Sequence, residues 1–493
     1  MIYRVLFIVL LATGYAAAQT SDDVYRYLQS GSLGSARAQA LGGASGFLKG
    51  DLSSVLTNPA AGALFDYGAF SSSLFLGAVG NTATTGDLTN PKRRGEASIN
   101  QAGGILVFVS EENNWNKIAL GFTYQQENSY SGNIKAAGLA DSGMDQYFTA
   151  LASNQIAENI LAYQNEYIED AYLRVGAESG FAAQQTLLAL YGGLLGLNEG
   201  VFSSNAQYTS IFQKFESRSK GRKDAYTIHG SASYKEKWLL GASLSIHELS
   251  FERFTYLDEE GYSTESAVTT SLFDNYLFTE GIGVSANFGL LWQPSPQFGL
   301  GVSYKTPTWF TMSDRSAQRF DTDNRLEDIS YINFGIINVY DDYTMKLPSS
   351  LTLNSKVALS QLLTFLIDYQ RQNYGDAQLL PNNDPAFNTQ NVALASTFST
   401  VESYRMGLEY TTQRYSARIG YGNTSSPYIN SDLGERKDYG LGFGLNYGPN
   451  RIDFGLSYST LNDTVFFFDQ ILPNAAEVQN NRFRANVTYT FSL

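Results

Sequence analysis

From about residue 67 to the last residue, apolar and polar residues alternate with period two in short stretches, as a strand with two different faces requires. The final stretch is the clearest: Phe483, Ala485, Val487, Tyr489 and Phe491 alternate with Arg482, Arg484, Asn486, Thr488 and Thr490. Ile452, Phe454, Leu456 and Tyr458 alternate with Asp453, Gly455, Ser457 and Ser459. Tyr439, Leu441, Phe443, Leu445 and Tyr447 alternate with Gly440, Gly442, Gly444 and Asn446. One face suits hydrocarbon and the other a packed or wet interior.

This pattern predicts strands near 67–79, 98–109, 116–126, 222–236, 238–250, 280–293, 297–312, 343–360, 361–372, 400–411, 412–422, 437–448, 450–462 and 481–493. About fourteen strands is an even number, as in bacterial barrels. Short connections near 111–115, 294–296, 361, 413 and 449–450 alternate with long segments at 80–97, 127–221, 251–279, 313–342, 373–399, 423–436 and 463–480. Membrane barrels have short periplasmic turns and long outer loops, so this alternation predicts both termini in the periplasm. The fold expected is an all-β, antiparallel outer-membrane barrel.

Three segments depart from the strand rhythm. Residues 1–18 carry Arg4, an apolar run from Val5 to Leu11 and Ala16-Ala17-Ala18, the layout of a secretory signal peptide cleaved before Gln19. Residues 19–66 are rich in Gly, Ala and Ser and hold no spanning strand. Their apolar residues Leu33, Leu41, Phe47, Leu52, Val55 and Leu56 need burial, which favours a plug filling the barrel of 67–493. Within the long third loop, 127–221, Met144, Tyr147, Phe148 and Leu151 follow helical spacing, and Ser142 with Asp145 resembles a capping box. Together with the apolar run Leu187 to Leu197, they predict two or three helices that cover the barrel mouth or collect an apolar ligand. No apolar run reaches the ~20 residues of a spanning helix.

Composition agrees with a two-faced barrel: 43% hydrophobic, 16% charged, 33 Tyr and a mean hydropathy of -0.20. The absence of cysteine removes disulfides and thiolate chemistry. A net charge of -14 argues against a nucleic-acid partner. No motif calls for a cofactor, a metal or catalysis. His229 and His247 fall on lumen phases near Ser231, Ser243 and Ser245, where hydrogen-bonded lining is the simpler reading than a hydrolytic pair. Asp341-Asp342 and Asp258-Glu259-Glu260 lack the spacing of a calcium loop and read as solvated acids. Arg405, Arg418, Lys305, Arg482 and Arg484 should point inward, either paired with Glu409, Asp368 and Asp453 or receiving the carboxylate of an amphipathic ligand.

The order Gly34-Ser35-Ala36-Arg37, Gly42-Gly43-Ala44, Gly50-Asp51-Leu52-Ser53-Ser54 and Asn58-Pro59-Ala60 resembles the N-terminal hatch of FadL-type outer-membrane transporters of hydrophobic compounds. The stretches at 299–307, 347–350, 366–374 and 404–428 look like that family's later strands. The resemblance implies a fourteen-stranded barrel with a hatch that carries Asn58, Pro59 and Ala60. It also implies that the chain is not an enzyme and works as a monomer in outer-membrane lipid and lipopolysaccharide. Fatty acids or other apolar molecules would be caught by helical outer loops, passed to an apolar pocket and released sideways between strands. Lys305 and Arg405 are the candidate contacts for the ligand's head. The competing reading is a barrel of the same fold that binds a protein partner as a secretion shuttle or surface-attachment component.

Overall fold

The computed structural model describes residues 20–493 except 30, 32, 33, 87, 111–113, 326–329 and 469–470. The expected signal peptide and Leu33 lie outside the described residues. Antiparallel strands form one closed fourteen-stave barrel. In chain order they are β1 (Ala69–Thr85), β2 (Leu88–Val109), β3 (Trp115–Ser129), β4 (Gly132–Ala140), β5 (Ile211–Tyr234), β6 (Trp238–Glu260), β7 (Val268–Ser295), β8 (Phe298–Lys305) and β9 (Thr308–Asn324). There follow β10 (Tyr343–Leu347), β11 (Ser350–Ala358), β12 (Leu363–Asn373), β13 (Thr400–Thr411), β14 (Tyr415–Thr424), β15 (Arg436–Tyr447), β16 (Asn450–Phe466) and β17 (Ala475–Ser492). Closure is made by β1 against β17, from Ala69↔Ser492 to Thr84↔Glu477. This leaves no open edge at the seam, which a bilayer demands.

Three staves are built from two pieces each. β3 and β4 both pair with β5. β8 and β9 both pair with β7, and their partners β11 and β10 break at the same level. The last two breaks coincide with Pro307 and Pro348, which supply no ladder N–H.

The expected outward rows are exposed: Phe483, Val487, Tyr489 and Phe491 on β17, Tyr439, Leu441 and Phe443 on β15, Phe454 and Leu456 on β16. They form the lipid-facing band. At the short-turn end, Trp238 stacks on Trp292 at 5.8 Å and Trp115 packs on Tyr234 at 5.1 Å, as interfacial aromatics do.

At the other end the strands run well beyond their expected limits. The β1–β2 hairpin continues to Thr85↔Leu88, and β5–β6 to Phe212↔Glu260. These extensions stand outside the hydrocarbon, so their outward positions need no apolar residues. The hydrophobic alternation fades there although the ladder continues.

The long-loop end is closed by a cap of α4 (Met144–Ala152), α5 (Ala157–Ile160) and α6 (Ile168–Tyr191). Met144, Phe148, Ile160, Val175 and Leu187 are buried there in one core with Phe320 and Leu257 of the strand tops. The expected capping box at Ser142 and Asp145 is not formed. Glu259 of β6 accepts the Met144 N–H at 2.8 Å instead, while Asp145 accepts from Tyr208 and Ser204 and Ser142 bonds Asn474. A carboxylate from another strand reaches this helix end first, a tertiary contact that local spacing does not reveal.

Candidate functional site

The N-terminal segment lies inside the barrel: α1 (Ser21–Leu28), α2 (Ala36–Ala40), α3 (Leu52–Thr57) and a 3-10 turn over Pro59–Leu64. Its seat is made by glycines. A Cβ at Gly420 would lie 1.9 Å from the Leu41 backbone, at Gly440 2.3 Å from the Gln39 carbonyl and at Gly455 2.5 Å from the Ala36 carbonyl. Gly440, between Tyr439 and Leu441, is therefore where hatch backbone touches wall backbone, and Gly442 makes room for the Ala40 methyl.

Charge fixes the same contact. Arg37 donates both Nε and Nη2 to Glu409 at 2.8 and 2.7 Å, Glu409 accepts Arg418 at 2.6 Å, and Arg418 reaches Asp453 at 2.7 Å. Arg451 closes the chain onto Asp453 and onto Asp51 of the hatch. The expected pairing of Arg418 with Glu409 and Asp453 thus exists, and its purpose is to bind Arg37.

Asn58, Pro59 and Ala60 fasten the other side. Asn58 Nδ2 donates to the Val302 carbonyl and to Asn354 Oδ1, and Asn58 Oδ1 caps the 3-10 turn through the Ala60 N–H at 3.1 Å. Asn354 bonds Asp368, which accepts the Ser45 and Gly46 N–H groups at 2.7 and 2.9 Å. Gly241 and Gly289 leave room for this turn, since a Cβ on either would lie within 2.3 Å of it. The triplet is an anchor, away from the cavities.

Above the hatch, α1 sits in an apolar belt that breaks the barrel's alternation rule. On β6 the apolar face switches from outward Leu244 and Ile246 to inward Leu249 and Phe251. Phe310, Met312, Met345 and Leu347 continue the belt, and Val24, Tyr27 and Leu28 pack into it. Thr20 caps α1 and Asp23 bonds Arg26 at 2.6 Å. Burial works to raise the Asp23 carboxyl, yet Arg26 and Arg253 hold it below the ordinary carboxylate range.

Two cavities meet beside α1. The upper, of ≈ 280 Å³, has Tyr25, Tyr130 and Phe251 on one side and Arg436, Arg482 and Arg484 on the other. The lower, of ≈ 230 Å³, is polar and contains both expected head contacts, Lys305 and Arg405, with Lys223, Glu127 and His247. Gly31 and Arg436 border both. Lys305 lies 3.5 Å from Glu127, whereas Arg405 bonds only the neutral Gln370 at 2.8 Å. Among the described residues neither Arg405 nor Arg482 has a carboxylate within 4.0 Å.

The upper cavity reaches the break between β3 and β4, touching Ser129 to Gly132. Here the barrel wall is incomplete. β2 pairs with β1 over its length but with β3 only from Gln101↔Gln125 to Val109↔Lys117. β4 pairs with β5 and leans inward against β1, where Asn81 Nδ2 donates to the Asn133 carbonyl. From Leu88 to Asn100, β2 has no ladder partner on that side among the described residues. Arg482 crosses the lumen to the Ser129 carbonyl at 3.2 Å, and Arg94 crosses the gap to the Ser219 carbonyl at 3.3 Å.

The histidines are lining. His229 meets Thr123 at 3.3 Å; His247 sits between Glu127 at 3.1 Å and Ser285 at 2.8 Å. Ser245 bonds Thr227, His229 lies opposite Ser243 in the β5–β6 ladder, and neither cavity beside α1 is lined by His229, Ser231 or Ser243. Among the described residues no group of acids or histidines is placed to hold a metal.

Solved structures share this architecture. A Pseudomonas aeruginosa FadL homologue is 12% identical, with 93% of this chain and 98% of that one covered at a TM-score of 0.54. The chain has the FadL-type barrel fold. The Pseudomonas putida toluene transporter TodX matches at 13% identity over 94% of this chain and 98% of its own, with a TM-score of 0.51. No family model and no curated protein matches the sequence.

Sequence reasoning placed Lys305 and Arg405 but missed Tyr25, Tyr130, Phe251 and Arg436. Leu249-Ser250-Phe251 held a signal: two apolar residues on the lumen phase directly after two on the lipid phase.

Proposed function

We propose that this FadL-type barrel takes up hydrophobic compounds across the outer membrane, and that its cargo is an amphipathic anion such as a long-chain fatty acid. The observation that carries this reading is the ≈ 280 Å³ cavity above the hatch that runs to the unladdered stretch of wall between β2 and β4. Its size is near the lower end of small-ligand sites, roughly 300 to 1,000 Å³. The aromatic side accepts an alkyl chain, each buried methylene contributing about 0.8 kcal/mol. Arg482 and Arg405, which have no carboxylate within 4.0 Å among the described residues, suit a carboxylate head through charge-assisted bonds. The foot of the gap, below Ser129 and beside Ile99 on the lipid phase, gives the chain a sideways path into hydrocarbon, where an apolar solute gains more than in a water-filled pore.

Capture occurs at the outer face, the termini are periplasmic, the barrel works as a monomer among outer-membrane lipid and lipopolysaccharide, and no reaction is catalysed. The related solved structures named as a FadL homologue and a toluene transporter support transport of apolar molecules. A cavity continuous with the gap also favours transport over a role as a protein shuttle.

The test is extraction of lipid from purified protein with mass spectrometry, followed by titration with a fatty acid and its methyl ester. Tighter binding of the free acid, lost in Arg482→Ala, is expected. Recovery of no apolar molecule, with fatty-acid uptake unchanged in a deletion strain, would overturn the proposal.

A further inference from the structure

The outer rim of the gap carries a second recognition feature, on the surface that faces the leaflet and not the lumen. Along the outward phase of β5, Ile228 and Tyr226 lie in the lipid-facing band, and Arg222, Lys220 and Arg218 follow above them. Their side chains are 57%, 61% and 61% exposed. Lys135 of β4 stands beside them, opposite Glu216. From the far side of the gap, β2 contributes Pro91 and Arg93 on the outward phase of Ala97 and Ile99, while Lys92 and Arg94 start from the opposite phase, level with Asn81 and Val79 of β1, and Arg94 turns into the gap. Arg94 reaches Ser219, between Arg218 and Lys220, so the two rims meet at one basic patch.

Carboxylates at the rim are fewer than cations overall, although Asp224, Glu248, Glu252 and Glu280 line one hollow with Lys220 and Arg222. Glu216 serves Lys135 and Arg218, Glu252 serves Lys220, and Asp224 serves Arg222. Among the described residues, Arg93 and Arg94 have no acid within ion-pair range, and Arg94 makes one bond to a carbonyl. A guanidinium has five N–H donors in a planar fork that matches phosphate oxygens, so most of this donor capacity is unspent.

We propose that this rim is a docking site for the phosphate of a phosphorylated glycolipid in the surrounding outer leaflet, held across the mouth of the gap. Height decides between a lipid and a dissolved anion. Arg222 is four residues above Tyr226, about 13 Å along the strand and less along the membrane normal once strand tilt is counted. That is where headgroups of the adjoining leaflet lie, with their acyl chains alongside Ile228 and Ile99. Near the bilayer the guanidinium and phosphate attract more strongly than in bulk water. Pro91 and the charges after it also blunt the bare β2 edge against pairing with another strand. A lipid held there would screen the gap from water. The inference rests on the barrel's place in the membrane and is independent of what the lumen carries.

Native mass spectrometry of the full-length barrel, titrated with bis-phosphorylated lipid A and with its dephosphorylated form, tests it. The wild-type protein is expected to bind the phosphorylated lipid at least about tenfold more tightly, the scale of one or two charge-assisted contacts. Arg93→Gln/Arg94→Gln is expected to lose that preference while keeping the wild-type barrel's heat-modifiable gel migration. Equal binding of both lipids by the wild type, which indicates acyl contact alone, overturns the proposal, as does a preference unchanged in the double variant. Lys220→Gln, on the opposite rim, provides a second variant and should weaken the preference in the same direction.

Discussion

The two walls of this barrel obey one alternation rule and use it for opposite ends. On β13 to β16 inward glycines at 420, 440 and 455 let hatch backbone lie directly on wall backbone. A buried ion chain through Arg37, Glu409, Arg418 and Asp453 then locks that contact. On the neighbouring wall, one stave away past β17, β1 to β4 are joined by side chains, Asn81 on the Asn133 carbonyl and Glu96 on Arg484, and the ladder itself is missing beyond Gln101↔Gln125. One wall is filled and rigid. The other is bridged by side chains that can let go one at a time. The difference places stability on the hatch side and passage on the gap side.

Perturbing the rigid wall should cost the most. Glu409→Leu leaves Arg37 and Arg418 buried without their shared partner, and breaking a buried ion pair on one side costs about 3 to 5 kcal/mol. A large fall in the thermal unfolding temperature of the detergent-solubilised barrel is expected; wild-type melting would remove the claim that this network holds the hatch. Gly420→Val puts a side chain where Leu41 already lies, an overpacking of about 1 to 3 kcal/mol. Limited proteolysis should then cut residues 34–48 in the variant and not in the wild type.

Perturbing the bridged wall should be milder for stability and stronger for traffic. Arg482→Ala removes its bonds to Ser129 and Asn480, about 1 kcal/mol each, so melting should move less than in Glu409→Leu while fatty-acid binding falls. The smallest expected effect is at α1. Because Asp23 is held below its unfolded carboxylate range, its contribution is present above about pH 4 and is lost as pH falls through the lower folded value. Protection of the Val24 to Leu28 amides against hydrogen exchange, corrected for the intrinsic pH dependence of exchange, should therefore fall on strong acidification and stay constant between neutral pH and about pH 5.

The same contrast explains what the sequence made legible. Phase and turn length are local properties, so fourteen staves, inward Lys305 and Arg405 and a segment needing burial could all be read before any coordinates. The prolines at 307 and 348 announced breaks that a continuous strand over 297–312 or 343–360 overlooked. The kink at Tyr130–Ser131 carries no such mark: it is held by Asn81 of β1 and by Asn480 and Arg482 of the last strand. That Gly440 and Gly442 of β15 seat the hatch depends on a distant segment lying against them, which alternation alone does not reveal.

The central claim is that cargo leaves through the wall while the hatch stays seated. Because the native chain has no cysteine, paired thiols report cleanly. Oleate uptake would be measured in cells that carry either Asn81→Cys/Asn133→Cys, tied across the inner side of the gap, or Ala36→Cys/Thr488→Cys, which ties the hatch to β17 where Ala36 N–H already bonds Thr488 at 2.7 Å. Cross-linking should abolish uptake in the first and leave it at the wild-type level in the second. Uptake that survives the gap cross-link and stops with the hatch cross-link would contradict the account.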